Sequence, residues 1–364
     1  MKKEKSQKGK RIALRIVSVL LAIVLVVMLG ATVLADTILG NMNYVEKGQD
    51  ATLSYEEALA LKEQAATETT AEEEEAEEES TEAITLETLN EDEVDLEVEI
   101  TEPIGEQKHI TNILLIGQDS QKGIRERSDT MLLVTVNTEK NTITITSFMR
   151  DIYVKIPGYY KEKLNAAYML GGMDLLNETL YQNFGIVVDH NVEVSFGQFT
   201  DIIDYLGGID LELDAKEAAF VNKAMGAGAA QLEAGMNHLN GHRALAYARY
   251  RDKATGDFGR TERQRKTLNA LIEEYKHAKL TTMVGMVNAL TGMVTTNMTK
   301  SEILNYAVEF FPMLSSAEII SQRVPFDGEH TDGKDYYYLA MIDGISVVVP
   351  HLDGIVEKLN ETLS

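Results

Sequence analysis

The sequence predicts a mixed α/β domain carried outside a membrane on a single N-terminal span. Three observations lead there. From Lys108 onward, period-two and short apolar runs alternate with helical ones over roughly 250 residues, the upper end of single-domain size. Ile16 to Ala35 contains no charged side chain. Between the two lies a stretch, 36–107, with 24 acidic and two basic residues.

Residues 1–15 form a basic tail, whose Lys2, Lys3, Lys5, Lys8, Lys10, Arg11 and Arg15 keep it in the cytoplasm by the positive-inside rule. Residues 16–35 are the transmembrane anchor, since twenty residues at about 1.5 Å each match the ~30 Å core of a bilayer. The run exceeds the apolar core of a cleaved leader, so it is expected to be retained. Residues 36–107 then form an acidic extracytoplasmic linker. Its middle, ATETTAEEEEAEEESTEA, has dense like charge and no aromatic residue, and is expected to be a disordered, extended spacer. YEEALALKEQAA (55–66) reads as a short amphipathic helix within it.

The domain occupies 108–364. ILLIG (113–117) and MLLVTVN (131–137) are buried strands, and TITITSF (142–148), β-branched and alternating, forms a hairpin with the second. Lys163–Asn183 is a helix. Val192–Phe196 and Ile209–Leu213 are strands, separated by a helix, Phe199–Leu206, that Gly207-Gly208 ends. Helices follow near 214–224, 240–251, 260–278, 281–293 and 300–313. Strands Ile319–Pro325 and Tyr336–Ile342 and a final helix, Val349–Leu363, complete the chain.

Composition removes several function classes. A net charge of −24 argues against nucleic acid as a partner. The absence of cysteine excludes disulfides, thiolate metal sites and a cysteine nucleophile. No phosphate loop, dinucleotide fingerprint or nucleophile elbow occurs.

Two groups of residues carry chemistry. Gly-Gln-Asp-Ser (117–120) puts Asp119 at the carboxyl end of a buried strand, where open α/β sheets bind ligands. Arg127 and Asp129 stand at the mouth of the next strand, and Arg150 and Asp151 follow the third. Carboxylates there suit a hard divalent cation, and guanidiniums suit phosphate oxygens. The second group is basic: residues 243–266 hold eight Lys or Arg against Asp252, Asp257 and Glu262. Arg260, Arg263 and Gln264 lie along one helical face that begins after Gly259, a start that favours an anion such as pyrophosphate.

Taken together, ILLIGQDS, RSDTMLLVTVN, SFMRDIYVKIPG, KLNAAYMLGG, FTDIIDYLGGIDLEL, LNGHRALAYARYR and GDFGRTERQ resemble the successive blocks of the LytR-CpsA-Psr family, in family order over about 110–275. The sequence departs from that pattern at Met149, where proline is frequent, and at Gln121, where an arginine commonly follows the serine; Arg125 or Arg127 is left to supply that charge. The resemblance implies an α-β-α sandwich with an apolar groove for a polyprenyl pyrophosphate. It implies transfer of a teichoic acid or capsule-like glycopolymer from undecaprenyl pyrophosphate onto peptidoglycan, assisted by Mg²⁺ or Mn²⁺. Carried over by residue, Asp119 and Asp129 hold the metal, and Arg127 and Arg150 clamp phosphate from the strand side. Lys163, Arg249, Arg251, Arg260, Arg263 and Gln264 contact it from the helical side. Asp119 or Asp252 is the base. The groove is expected between the helix Leu164–Tyr181 and Phe184, Ile186, Phe196, Phe199, Ile202 and Ile203. Two other functions fit the same residues: a regulator that binds the lipid without turnover, and a polyprenyl pyrophosphate hydrolase.

Overall fold

The computed structural model describes residues 43–62, 86–118, 125–226, 228–252, 254–276 and 292–364. The anchor run Ile16–Ala35, Asp119 and the helix expected over 281–293 lie outside these residues. Among the described residues no helix is long and apolar enough to cross a membrane.

The period-two runs assemble at the centre into a mixed sheet of seven strands. Their spatial order is Asn43–Tyr44, Thr295–Thr296, His190–Ser195, Ile110–Gln118, Thr130–Asn137, Thr142–Phe148 and Glu318–Val324. The expected hairpin is present: Met131 pairs with Phe148 on one side and Ile116 on the other, all antiparallel. Strands Ile110–Gln118 and His190–Ser195 run parallel, as do Thr142–Phe148 and Glu318–Val324.

Alternation then decides the layers. Leu114, Ile116, Met131, Leu133 and Phe148 are buried with Leu170, Leu176 and Leu180 of the helix Leu164–Phe184 and with Ile355 and Leu359 of the helix Leu352–Leu363. Leu115, Leu132 and Val194 turn to the opposite face, under the helices Phe196–Tyr205, Gly241–Arg249 and Gly256–Tyr275. A second cluster, including Ile203, Leu211, Val221, Leu239 and Tyr247, ties these helices to the helix Ala215–Met225 and the ribbon Ile209–Leu213 with Gly235–Leu239. Helix starts are fixed locally: Ser195 and Asp214 form capping boxes with Gln198 and Glu217, and Asn240 accepts from Arg243 N.

Two expectations are corrected. The linker assigned to 36–107 enters the domain at both ends. Asn43–Tyr44 extends the central sheet, and Glu87–Leu89 pairs with Tyr337–Ile342. Ala58, Val94, Leu96 and Ile104 are buried in the main core. The domain therefore begins well before Lys108. The acidic average hid an alternation in which Val94 and Leu96 point inward while Asp95 and Glu97 stay in water. The last helix begins at Leu352, three residues late, because Ile345–Pro350 is a strand returning antiparallel on Tyr337–Ile342. Asp343 and Gly344, at φ 51 and 78, make the hairpin turn that a β-branched run after Asp-Gly calls for.

Candidate active site

The sheet brings two of the three predicted strand ends together among the described residues. Asp129 N donates to Gly117 O at 2.9 Å, closing the connection between the first two core strands. Asp129 Oδ1 accepts from Arg150 Nη1 at 2.6 Å, and Arg150 Nε lies 3.4 Å from Asp151 Oδ2. Lys163 Nζ stands 3.1 Å from Asp151 on the other side. Burial alone would pull Arg150 down, but Asp151, Asp257 and Asp129 outweigh it and hold the guanidinium above its ordinary pKa. Burial likewise opposes charge on Asp151, yet Lys163, Arg150 and Arg260 keep its carboxyl below the usual range.

The helix Gly256–Tyr275 supplies the facing wall. Asp257, in its first turn, lies 2.7 Å from Arg260 Nη2, 3.0 Å from Arg251 Nη2 and 3.7 Å from Arg150 Nε. Arg260 is 6% exposed. Burial and the neighbouring Arg150 and Arg251 bring it down to about 10 against the pull of Asp257, so it is cationic at neutral pH. Its Nε is buried with no hydrogen-bond partner among the described residues. A buried, unpartnered donor beside two further guanidiniums favours an incoming anion.

Behind this mouth runs a cavity of about 470 Å³. Asp129, Thr130, Arg150, Arg249, Arg251, Arg260 and Gln264 line its polar end, and Leu115, Leu132, Val194, Phe196, Phe199, Ile202, Leu245, Leu268 and Leu271 its apolar length. Arg249 packs over the Phe196 ring, 4.6 Å from its centroid. Gly241 lets the helices Phe196–Tyr205 and Gly241–Arg249 close on each other, because a Cβ there would lie 2.1 Å from Thr200 O. An ionic mouth on an apolar slot suits a phosphorylated lipid.

The predicted residues separate into those at the mouth and those behind it. Asp129, Arg150, Arg249, Arg251, Arg260 and Gln264 line the cavity. Lys163 does not line it and is linked only through Asp151 to Arg150. Arg127 is turned toward Glu162, 3.6 Å away, and donates to Asn165 Oδ1 at 3.3 Å. Arg263 leaves the expected face: its Nε lies 2.8 Å from Glu217 Oε1, and its guanidinium stacks on Tyr250. From this helix Arg260, Gln264, Thr267, Leu268 and Leu271 line the groove, while Arg263 is turned away to Glu217. Asp252 holds Lys216 at 3.3 Å outside the cavity lining, and the Ala254 backbone N–H keeps its carboxyl below the usual range. The groove walls are also corrected. Phe196, Phe199 and Ile202 line the cavity, whereas the long helix, Phe184 and Ile186 belong to the core on the opposite face and Ile203 to the second cluster. The sequence reading does not select Asp257. Its one signal was an acid three residues before Arg260 in an otherwise basic stretch.

A model of the LytR_cpsA_psr family matches residues 59–345. The chain is 32% identical over 232 residues to a Bacillus mycoides protein named polyisoprenyl-teichoic acid–peptidoglycan teichoic acid transferase TagU, covering 63% of this chain and 73% of that one. It is 33% identical over 222 residues to the regulatory protein MsrR of Staphylococcus aureus, covering 61% and 66%. Among solved structures it is similar to YwtF (TagT), a Bacillus subtilis protein, with bound octaprenyl pyrophosphate lipid, at a TM-score of 0.54 and 26% identity over 74% of this chain and 95% of that one.

Proposed function

This chain belongs to the LytR_cpsA_psr family, and we propose that it is a phosphotransferase that moves a glycopolymer of the teichoic acid or capsule type from undecaprenyl pyrophosphate onto peptidoglycan. The observation that carries the reading is the cavity, with guanidiniums at one end and aliphatic and aromatic side chains along the other. The apolar length takes the prenyl chain, and Arg150, Arg251 and Arg260 face the pyrophosphate.

An acceptor hydroxyl attacks the sugar-linked phosphorus. A new O–P bond forms, the bridging P–O bond breaks, and the lipid leaves as its monophosphate. The hydroxyl proton goes to a carboxylate. Asp252 is committed to Lys216 and Ala254, so we assign the proton to Asp119. Such transfers need positioning and neutralisation of growing charge more than a covalent nucleophile. Arg150 and Arg260 serve that need: both sit in contact with carboxylates that a phosphate can replace.

A Mg²⁺ or Mn²⁺ ion fits the donors. Such cations take one or two carboxylates and draw their other ligands from phosphate and water. Asp129 offers one carboxylate, and no group of three or more His, Asp or Glu side chains among the described residues could hold a metal alone. Asp129 with Asp119 would hold the ion, which when bound supplies charge neutralisation at the phosphate oxygens. The uncharged run Ile16–Ala35 and the basic tail before it support a single-pass protein with its catalytic domain outside the cytoplasmic membrane.

The name of the S. aureus relative favours a second reading, a regulator that binds the lipid without turning it over. The test gives the full chain, in vesicles, a polyprenyl-pyrophosphate-linked glycan, peptidoglycan and Mg²⁺. Transfer yields glycan bound to peptidoglycan and free polyprenyl phosphate in equal amounts. Lipid binding with neither product supports the regulator, and lipid phosphate released without linkage supports a hydrolase.

A further inference from the structure

The segment following residue 42 is tied to the domain along its length. Val45 N donates to Thr296 O at 3.0 Å and Gly48 N to Asp174 Oδ2 at 2.8 Å; Lys47 Nζ donates to Asp189 O, and Leu53 N to Leu170 O at 2.8 Å. Asp50 lies in the middle of this strap with its side chain 12% exposed. Its Oδ2 accepts from Met173 N at 2.7 Å and Asp174 N at 3.3 Å. These are the first amides after the break that Gly171 and Gly172 make in the helix Leu164–Phe184. Gly172 has φ 69, and a Cβ there would stand 2.4 Å from Asp50 Cγ, so no other residue fits beneath the carboxylate.

The other oxygen of Asp50 is held by a guanidinium. Oδ1 accepts from Arg125 Nη2 at 3.0 Å, and Arg125 Nη1 donates to Ala51 O at 2.7 Å. The guanidinium lies over Tyr168, 5.8 Å from the ring centroid. Tyr168 is itself fixed by donating to Glu193 Oε2 at 2.6 Å. Arg125 precedes Arg127 by two residues and Asp129 by four. The segment 125–129 is therefore pinned at one end by Asp129 N on Gly117 O and at the other by Arg125 on Asp50.

We propose that Asp50 is a positioning residue for the pyrophosphate mouth: through Arg125 it holds the segment that presents Asp129 to Arg150. The sequence left open whether Arg125 or Arg127 supplies a charge to the phosphate; Arg125 belongs to the strap. A paired guanidinium makes a fixed support because its two donors meet two acceptors of one segment. Small displacements of a reacting geometry are costly, which makes such a support consequential for turnover.

The kinetic part of the test rests on the transferase reading and the exchange part does not. Full chains in vesicles carrying Asp50→Asn, Arg125→Ala or both are compared with the parent. Asp50→Asn keeps an oxygen for Met173 N, and Arg125→Ala leaves the helix break capped. Each single change should speed hydrogen exchange at the Asp129 amide about tenfold, since that bond loses its fixed neighbour. Each should lower kcat about tenfold with KM within about twofold, and the double variant should do no more than either single, because both act through one contact. Arg125→Lys, which keeps a cation opposite Asp50, should recover part of the loss. Unchanged exchange at Asp129 in both single variants overturns the proposal, as do effects that add in the double variant. A parent without transfer rejects the transferase reading alone, and exchange then decides the proposal.

Discussion

Two arginines from one helix show how far residue type carries and where it stops. Arg260 and Arg263 look alike in sequence, three positions apart in a basic run, and both are almost fully buried. Arg260 opens into the cavity with an unpartnered Nε, while Arg263 is neutralised by Glu217 inside the second core cluster. Removing this core arginine and removing one at the mouth should have opposite consequences. Arg263→Ala leaves Glu217, 6% exposed, as an uncompensated buried charge, a loss that commonly costs about 3–5 kcal/mol. Arg150→Ala, at the mouth, removes a donor for charge that grows in transfer, which commonly costs about 10²–10³ in rate. Thermal unfolding and transfer assays on both variants check this: the Arg263 variant should melt clearly lower, and the Arg150 variant should melt near the parent and lose turnover. An Arg263 variant with parental melting and lost turnover would return that residue to the pyrophosphate. The strand-end residues were legible because buried strands have definite ends. Arg127 and Arg263 were not, because their buried acceptors, Glu162 and Glu217, are distant in sequence and no local pattern points to them.

Elements with strong periodicity were read nearly as they stand. The three central strands could be located without tertiary information, since two are short apolar runs and the third alternates with β-branched residues. What local reading could not supply was the side of the sheet on which each helix lies. The long helix Leu164–Phe184 and the helix Phe196–Tyr205 both present apolar residues, yet one closes the core and the other walls the cavity. On the cavity side Phe196–Tyr205 crosses Gly241–Arg249 closely, with Gly241 against the backbone of Thr200. Gly241→Ala must push the two helices apart, because the clash is with backbone and no side chain can rotate away. Overpacking of this kind costs about 1–3 kcal/mol. The expected result is a lower melting temperature together with weaker binding of octaprenyl pyrophosphate, measured by titration. Weakened stability with unchanged lipid affinity would mean that this crossing does not shape the slot.

At the scale of the whole molecule, the acidic stretch cannot be treated as one object. Average composition describes its middle, but Ala58, Val94, Leu96 and Ile104 are buried, and the latter three sit singly among acidic neighbours. Their burial is worth having: fully buried aliphatic side chains contribute about 1.5–3 kcal/mol each as an upper estimate, and domains are stable by only about 5–15 kcal/mol in total. Removing everything before Lys108 would also strip Glu87–Leu89 from its sheet, Asn43–Tyr44 from the edge of the central one, and the Lys161 ammonium of its contacts with Glu91 O and Val94 O. A 108–364 fragment, cut where the sequence alone places the boundary, should therefore be insoluble or melt more than about 10 °C below a 43–364 fragment, given that 1 kcal/mol moves the midpoint of a domain this size by about 2–4 °C. Calorimetry or circular dichroism on the two fragments decides it. Midpoints within about 2 °C would show that the packed N-terminal residues add nothing to stability; a large gap means that the strap and the catalytic domain are one folding unit.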